Sequence, residues 1–336
     1  MRKAHDTPRG TLHRLVLDCR LLDGNLQGDP TEREVHVYVP AGHDGAGLPL
    51  LVDIVGYTAG GPAHTNWRAF GENVPERLDR LIAAGEMPPV VVAFPDCFTR
   101  LGGNQYVNSA ALGPWMDVIC QEMVPFVERQ FGCGGPGRRG IFGKSSGGYG
   151  AMAHALLRPD FWAAAACHSG DVAFEWCYLP EFPGVLRALA KHDLGIEGFM
   201  RKFESARKPD GKDTHVLMML CMAATYDPDP KAYLGIRLPV DLETCEIIPE
   251  RWAAWLDWDP LMLLEKHADG LRDLKALYID CGDRDQYNLV YGARRLHRRL
   301  EALGIKHRYE EFPDDHSGVD YRMDESLPFL AKALSA

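Results

Sequence analysis

Hydrophobic and polar residues along this chain fall into two textures, and their alternation sets the architecture. From Thr11 to Pro40 the segments LHRLVLD and REVHVYVP alternate with a period of two, joined by the Gly- and Asp-containing stretch LLDGNLQGDP. That pattern predicts two antiparallel strands at one edge of a sheet. Leu50 to Val55, LLVDIV, is apolar except at Asp53, and Pro89 to Pro95, PVVVAFP, is equally continuous. Such runs predict strands buried on both faces. Helical spacing appears in Asn73 to Ala84, and again in Trp115 to Phe131, where Val118, Ile119, Met123, Val124 and Val127 form an apolar stripe. Further strands are predicted at the apolar run ending in Ile141 and Phe142, at Phe161 to Cys167, at Leu271 to Cys281 and at Lys306 to Phe312, with a helix from Ala293 to Leu303. Strand alternating with helix predicts an α/β domain with a mostly parallel sheet.

One segment breaks the rhythm. Asp171 to about Asp259 contains Trp176, Trp252, Trp255 and Trp258 together with the run VLMMLCM. A structureless loop of that length is improbable in a compact domain. The expectation is a mostly helical insertion, 171–259, capping a pocket within a single domain spanning 1–336. Its aromatic and Met side chains have two readings, a grip on an apolar part of a substrate or a private hydrophobic core. The Pro- and Asp-rich stretch YDPDPKAY reads as an exposed turn within it.

Composition narrows the partners. The 47 acidic residues outnumber the 37 Lys and Arg, which disfavours nucleic acid or an anionic membrane as the main partner and favours a small-molecule substrate. Nine cysteines occur without a C-x-x-C pair, so neither a zinc grouping nor a complete disulfide framework is expected. MRKAHDTPRGTLHR lacks the apolar core of a secretory signal, and no run approaches the ~20 apolar residues of a membrane span. A cytoplasmic location is the expectation; a homodimer is left open.

The chemistry centres on Arg139 to Gly150, RGIFGKSSGGYG. Gly143, Ser145 and Gly147 fit G-x-S-x-G between a strand and an Ala-rich helix, the pattern of a sharp turn that lifts a serine hydroxyl clear of the sheet. The helix N-terminus beyond it favours developing negative charge. Ser145 is the candidate nucleophile. The substring GKS does not complete a phosphate-binding loop, because Arg138 stands where that motif needs glycine. Ser146 is flanked by Lys144 and Gly148 and so lacks a small residue on one side.

A serine nucleophile needs a base, and the base an acidic partner. Asp283 and Asp285 follow one predicted strand, in CGDRDQY, and His316 follows the last, in EFPDDHSG. The order Ser, Asp, His is that of the α/β-hydrolase triad. Asp285 is favoured over Asp283 because it lies deeper in its loop. His168, at a strand end, and His307, within the last strand, are the reserve bases. After the Leu50–Val55 strand, Gly56-Tyr57-Thr58-Ala59-Gly60-Gly61 forms a flexible loop at the edge where α/β sheets hold ligands. Backbone N–H groups of Tyr57 or Thr58, with that of Ser146, are the candidate oxyanion donors. Thr58, Tyr106 and Trp176 are expected against the substrate, and Asn108 beside Tyr106.

GKSSGGYGA, VAFPDCF, CGDRDQY and EFPDDHSG together resemble the putative-esterase family of α/β-hydrolases, which includes S-formylglutathione hydrolase, feruloyl and acetylxylan esterases, enterochelin esterase and mycolyltransferases. The resemblance covers roughly Glu34 to Leu330 apart from the insertion. It implies an α/β-hydrolase fold with an eight-stranded, mostly parallel sheet, helices on both faces, and acyl-enzyme chemistry through Ser145, Asp285 and His316. Val55 departs from the family at a position where many members carry histidine, and Ser146 where Met or Leu is usual. Lys144 is also unusual and reads as a solvated side chain. The expected activity is hydrolysis of a small carboxylic ester without metal or organic cofactor. Acyl transfer to another acceptor and a non-catalytic ligand-binding protein on the same fold are the alternatives.

Overall fold

The computed structural model describes residues 6–193 and 195–336. The first five residues of the N-terminal stretch read above for a leader lie outside the described residues. Among the described residues, no helix is long and apolar enough to cross a membrane.

An eight-stranded sheet carries the domain, in the order β1-β2-β4-β3-β7-β8-β9-β10. β1 (Thr11–Asp18) and β2 (Glu32–Val39) pair antiparallel at one edge, and β2 joins β4 (Val91–Pro95) antiparallel. From β4 onward, through β3 (Leu50–Ile54), β7 (Arg139–Lys144), β8 (Ala164–His168), β9 (Ala276–Gly282) and β10 (Arg308–Phe312), every pairing is parallel. A separate two-stranded ribbon, β5 (Asn108–Ser109) and β6 (Gly113–Pro114), lies outside this sheet. The period-two segments thus form the antiparallel edge and the continuous apolar runs the parallel centre, because only central strands are covered on both sides.

Alternate side chains of each strand enter two different apolar layers. Leu50, Val52 and Ile54 of β3 point to one, with Ile141 of β7 and Leu277 and Ile279 of β9. Leu51, Phe142 and Tyr278 point to the other. The second layer is closed by α1 (Val74–Ala83) and the C-terminal helix α10 (Met323–Ser335), through Leu78, Leu81, Leu327 and Leu330. The first is closed by the helix α2 over residues 115–131, by α3 (Ser146–Leu157) and by α9 (Leu289–Ala302). Within α2 the stretch Val118–Met123 is π-helical, a local widening that the i, i+3, i+4 stripe does not reveal.

Between β8 and β9 the chain is mostly helical, with α4 (Phe182–Leu189), α5 (Ile196–Ser205), α6 (Gly211–Tyr226), α7 (Pro249–Leu256) and α8 (Pro260–His267). Its aromatic residues do not build a private core. Trp252, Trp255, Phe182 and Tyr226 belong to the same buried cluster as the first face of the sheet, and Phe174 and Tyr226 pack on Tyr149 of α3 with ring centroids 5.9 and 5.8 Å apart. The strand expected from Leu271 begins only at Ala276; Ala268–Asp273 forms a 3₁₀ turn instead. Leu271 is buried there, and burial supplies an apolar letter whether the backbone is a strand or a turn.

The start of α1 shows a locally encoded signal. Asn73 Oδ1 accepts from the Glu76 N–H at 2.9 Å, and the Glu76 carboxylate accepts from the Asn73 N–H at 3.1 Å, so two otherwise unpaired donors are satisfied reciprocally. Asn73→Ala is expected to lower stability by about 1 kcal/mol, read as a shift in urea midpoint at unchanged slope; an unchanged midpoint would show that the cap contributes nothing.

Candidate active site

Ser145 occupies the turn between β7 and α3 with φ 60° and ψ −123°, a strained conformation for a residue with a side chain. The turn is tight because two backbones cross beneath it. A Cβ at Gly147 would stand 1.9 Å from the Ile54 carbonyl oxygen, so only glycine lets α3 start this close to β3. Ser146 is the first residue of α3, and its N–H has no intrahelical acceptor. Its buried hydroxyl accepts from Gln105 Nε2 at 2.7 Å.

The β3 carboxyl end runs into Gly56, Tyr57 and Thr58, beside the same turn. The N–H groups of Tyr57 and Thr58 have no acceptor among the described residues. Tyr57 is anchored at its far end, where its hydroxyl donates to the Leu101 carbonyl at 2.6 Å. Gly56, Tyr57, Thr58, Ser145 and His316 line one cavity of about 280 Å³, closed from the helical segment by Cys177, Tyr178 and Met218.

His316 reaches this cavity from the loop after β10. Its Nδ1 donates to Asp285 Oδ2 at 2.7 Å, which leaves Nε2 as the acceptor nitrogen. Asp285 is held in turn: its Oδ1 accepts from the Tyr287 N–H at 2.9 Å, and it is 6 % exposed. Tyr287 meets the His316 ring edge-on at 5.0 Å. The two loops approach closely at Gly282, where a Cβ would lie 2.4 Å from the Asp314 carbonyl oxygen. Asp283 points elsewhere, toward the Arg284 guanidinium at 3.4 Å, and is well exposed.

The two reserve histidines are engaged otherwise. His168 donates from Nδ1 to Asp280 Oδ1 at 2.7 Å and bonds Ser326 Oγ through Nε2 at 2.8 Å. His307 bonds the Ile305 carbonyl and His297.

Three residues expected at the pocket are corrected. Tyr106 is buried, and its hydroxyl donates to the Val55 carbonyl at 2.6 Å; it lies beneath the loop rather than in the cavity. Asn108 likewise bonds Asp117. Trp176 is half exposed, on the outer surface against Tyr291 at 6.5 Å, because its one-turn helix, Phe174–Cys177, turns Phe174 and Cys177 inward. Loop placement in the sequence identifies the catalytic edge but not which way a ring points.

Several cavity residues escaped the sequence reading. His64 lines the wall and donates to the fully buried Asp53 at 2.7 Å. Asp53 was the available signal, as the lone polar residue of a buried strand demands a partner. Burial disfavours the His64 cation, but Asp53 outweighs it and raises the pKa. Asp171 lines another wall and accepts from the Tyr178 hydroxyl at 2.8 Å. Lys144 lines the cavity rather than standing in solvent, and Asp320 lies nearby. Among the described residues, no group of His, Cys, Asp or Glu is arranged to hold a metal ion.

A family model with the description "Putative esterase" matches residues 29–325. The chain belongs to the putative esterase family. No curated protein matches it significantly. Solved structures resemble this esterase along its whole length at low identity. A ferulic acid esterase is 16% identical with a TM-score of 0.64, covering 97% of this chain and 99% of its own. S-formylglutathione hydrolase from Agrobacterium tumefaciens is 17% identical with a TM-score of 0.58, covering 98% of each chain. FphF, a fluorophosphonate-binding serine hydrolase from Staphylococcus aureus, is 15% identical with a TM-score of 0.59, covering 96% of this chain and 99% of its own. At such identities the likeness establishes a shared α/β-hydrolase fold.

Burial pushes the Asp171 carboxyl up to about 6, against the hydrogen bond from Tyr178. A folded-state pKa above the unfolded one means that stability present below about pH 4 is lost as pH rises through about 6. Asp171→Asn is therefore expected to stabilise the protein by up to about 3 kcal/mol at pH 7.5 and to change little at pH 4. Urea titrations at the two pH values check this; equal effects at both would refute it.

Proposed function

We propose that this esterase is a serine carboxylic-ester hydrolase working through an acyl-enzyme on Ser145. The observation that carries the reading is one cavity lined by both the serine of the strained turn and a histidine already bonded to a buried aspartate. Ser145 Oγ attacks the ester carbonyl carbon while His316 Nε2 takes the hydroxyl proton. Asp285 keeps the histidine in the required tautomer and stabilises the imidazolium. Negative charge gathering on the carbonyl oxygen is met by the N–H groups of Ser146 and Tyr57, reinforced by the start of α3. His316 then protonates the departing alkoxide, and a water activated by the same nitrogen releases the acid.

The cavity volume supports a small ester substrate. Neighbours named ferulic acid esterase and S-formylglutathione hydrolase support hydrolytic acyl chemistry on this scaffold. Nine free cysteines, eight of them buried, support residence in a reducing compartment.

Ser145→Ala is expected to stay folded, to lose about 10⁴-fold or more in kcat on short-chain p-nitrophenyl esters, and to lose labelling by a fluorophosphonate probe. Unchanged labelling would remove Ser145 as the nucleophile. Asp285→Asn is expected to lower kcat about 10³–10⁴-fold, whereas Asp283→Asn retains activity within a few-fold; the reverse ranking would exchange the two acids.

A further inference from the structure

Five residues of the cavity wall carry ionisable charge: His64, Lys144, Asp171, His316 and Asp320. Three of them have a charged partner, and the fourth, Asp171, has only a neutral hydroxyl. His64 is bonded to Asp53, His316 to Asp285 and Asp320 to Arg68, while Asp171 accepts from Tyr178. Lys144 has none: among the described residues its ammonium makes no hydrogen bond or ion pair. It is nevertheless half-buried, and it sits directly before the nucleophile at the end of β7. Lys144 lines the cavity, and the charges that act on it are Asp320, Asp285, Asp315 and Arg68. Burial lowers its pKa, and the three carboxylates pull it back up without coming within bonding distance. A partly desolvated cation beside a reacting carbonyl is unfavourable until an anion reaches it.

The neighbouring acids do not complete it. Asp320 is held by Arg68 and Asp285 by His316, and Asp315 accepts from the Ser317 N–H at 2.7 Å. The lining cation without a bonded partner among the described residues is therefore Lys144, with His64, bonded to Asp53, lining the same cavity. We propose that the substrate of this esterase carries a carboxylate, and that Lys144 binds it within the cavity. The inference rests on the serine-esterase reading and adds the substrate class. The carboxylate sits either on the acyl side or on the alcohol side of the ester.

Two matched pairs of esters distinguish the sides. On the acyl side, 4-nitrophenyl hydrogen glutarate is compared with 4-nitrophenyl pentanoate; on the alcohol side, 4-acetoxybenzoate with 4-acetoxybenzamide. The wild-type enzyme is expected to favour the anion in one pair by about tenfold or more in kcat/KM, a ratio equivalent to about 1.4 kcal/mol. Lys144→Gln is expected to erase most of that ratio and Lys144→Arg to retain most of it, with added salt shrinking it in the wild type. A wild-type ratio at or below one in both pairs overturns the inference, as does a ratio that survives Lys144→Gln. Such results leave ester hydrolysis standing, whereas loss of hydrolysis in all four esters removes the esterase reading. Binding without turnover separates the two. By calorimetry, Ser145→Ala protein is expected to bind methyl hydrogen glutarate or 4-acetoxybenzoate about tenfold more tightly than dimethyl glutarate or 4-acetoxybenzamide, respectively. Equal binding in both pairs overturns the anion site independently of catalysis.

Discussion

The contact between the Ile54 carbonyl and the glycine turn at the start of α3 is the constraint on which the site depends. A methyl group at Gly147 would fall 1.9 Å from that oxygen, so the end of β3 and the beginning of α3 are locked against each other. From Ile54 the chain passes through the buried Val55 to Gly56 and Tyr57, which border the reaction cavity. One backbone crossing therefore fixes both the strained serine and the loop that faces it. Tyr106 reinforces it by bonding the Val55 carbonyl from below, and Gln105 by bonding the Ser146 hydroxyl. Tyr106 itself has φ 61°, so the segment beneath the loop is as constrained as the turn it supports. Such preorganised donors need little rearrangement when charge develops on a substrate.

Three histidine–aspartate pairs lie at the carboxyl ends of neighbouring strands: His64 with Asp53, His168 with Asp280, and His316 with Asp285. Their surroundings separate their roles. His168 is buried with both ring nitrogens engaged, by Asp280 and Ser326, while Arg322 bonds the same aspartate at 3.0 Å, so the pair ties β8, β9 and the C-terminal region together. His316 has one nitrogen bonded to Asp285 and a ring that borders the cavity, which is what proton transfer requires. His64 also lines the cavity, but its Nδ1 is bonded to the buried Asp53, and Asp320 and Arg68 act on its charge. Burying an aspartate in the centre of a sheet is unfavourable unless it is paired. Histidine meets that need at Asp53 and Asp280, while Asp285 lies in the loop beyond β9; of the three imidazoles, those of His64 and His316 line the cavity.

The helical segment between β8 and β9 supplies the remaining wall. Trp252 and Trp255 continue the buried layer of the sheet's first face, while Tyr178 and Met218 border the cavity. Roof and core are thus one apolar body, and the shape of the cavity follows from how α3 and α6 pack. Asp171, at the root of this segment, places a carboxyl near His316 and Asp285, so the charge on this wall varies with pH.

By itself the sequence determined the alternation of strand and helix, the antiparallel edge, the glycine turn around Ser145 and the order of Ser145, Asp285 and His316. These are local signals: side-chain periodicity follows backbone periodicity, and a turn too tight for a Cβ admits only glycine. Tertiary structure alone decided which rings face the cavity: Tyr106, in a loop, turns its side chain inward beneath the cavity, and Trp176, on a one-turn helix, turns outward. It also decided that Lys144 borders the cavity and that His64 meets Asp53. Those contacts join residues whose meeting depends on how loops pack over the sheet edge, and periodicity, which reports the neighbours of a residue along the chain, carries no information about that.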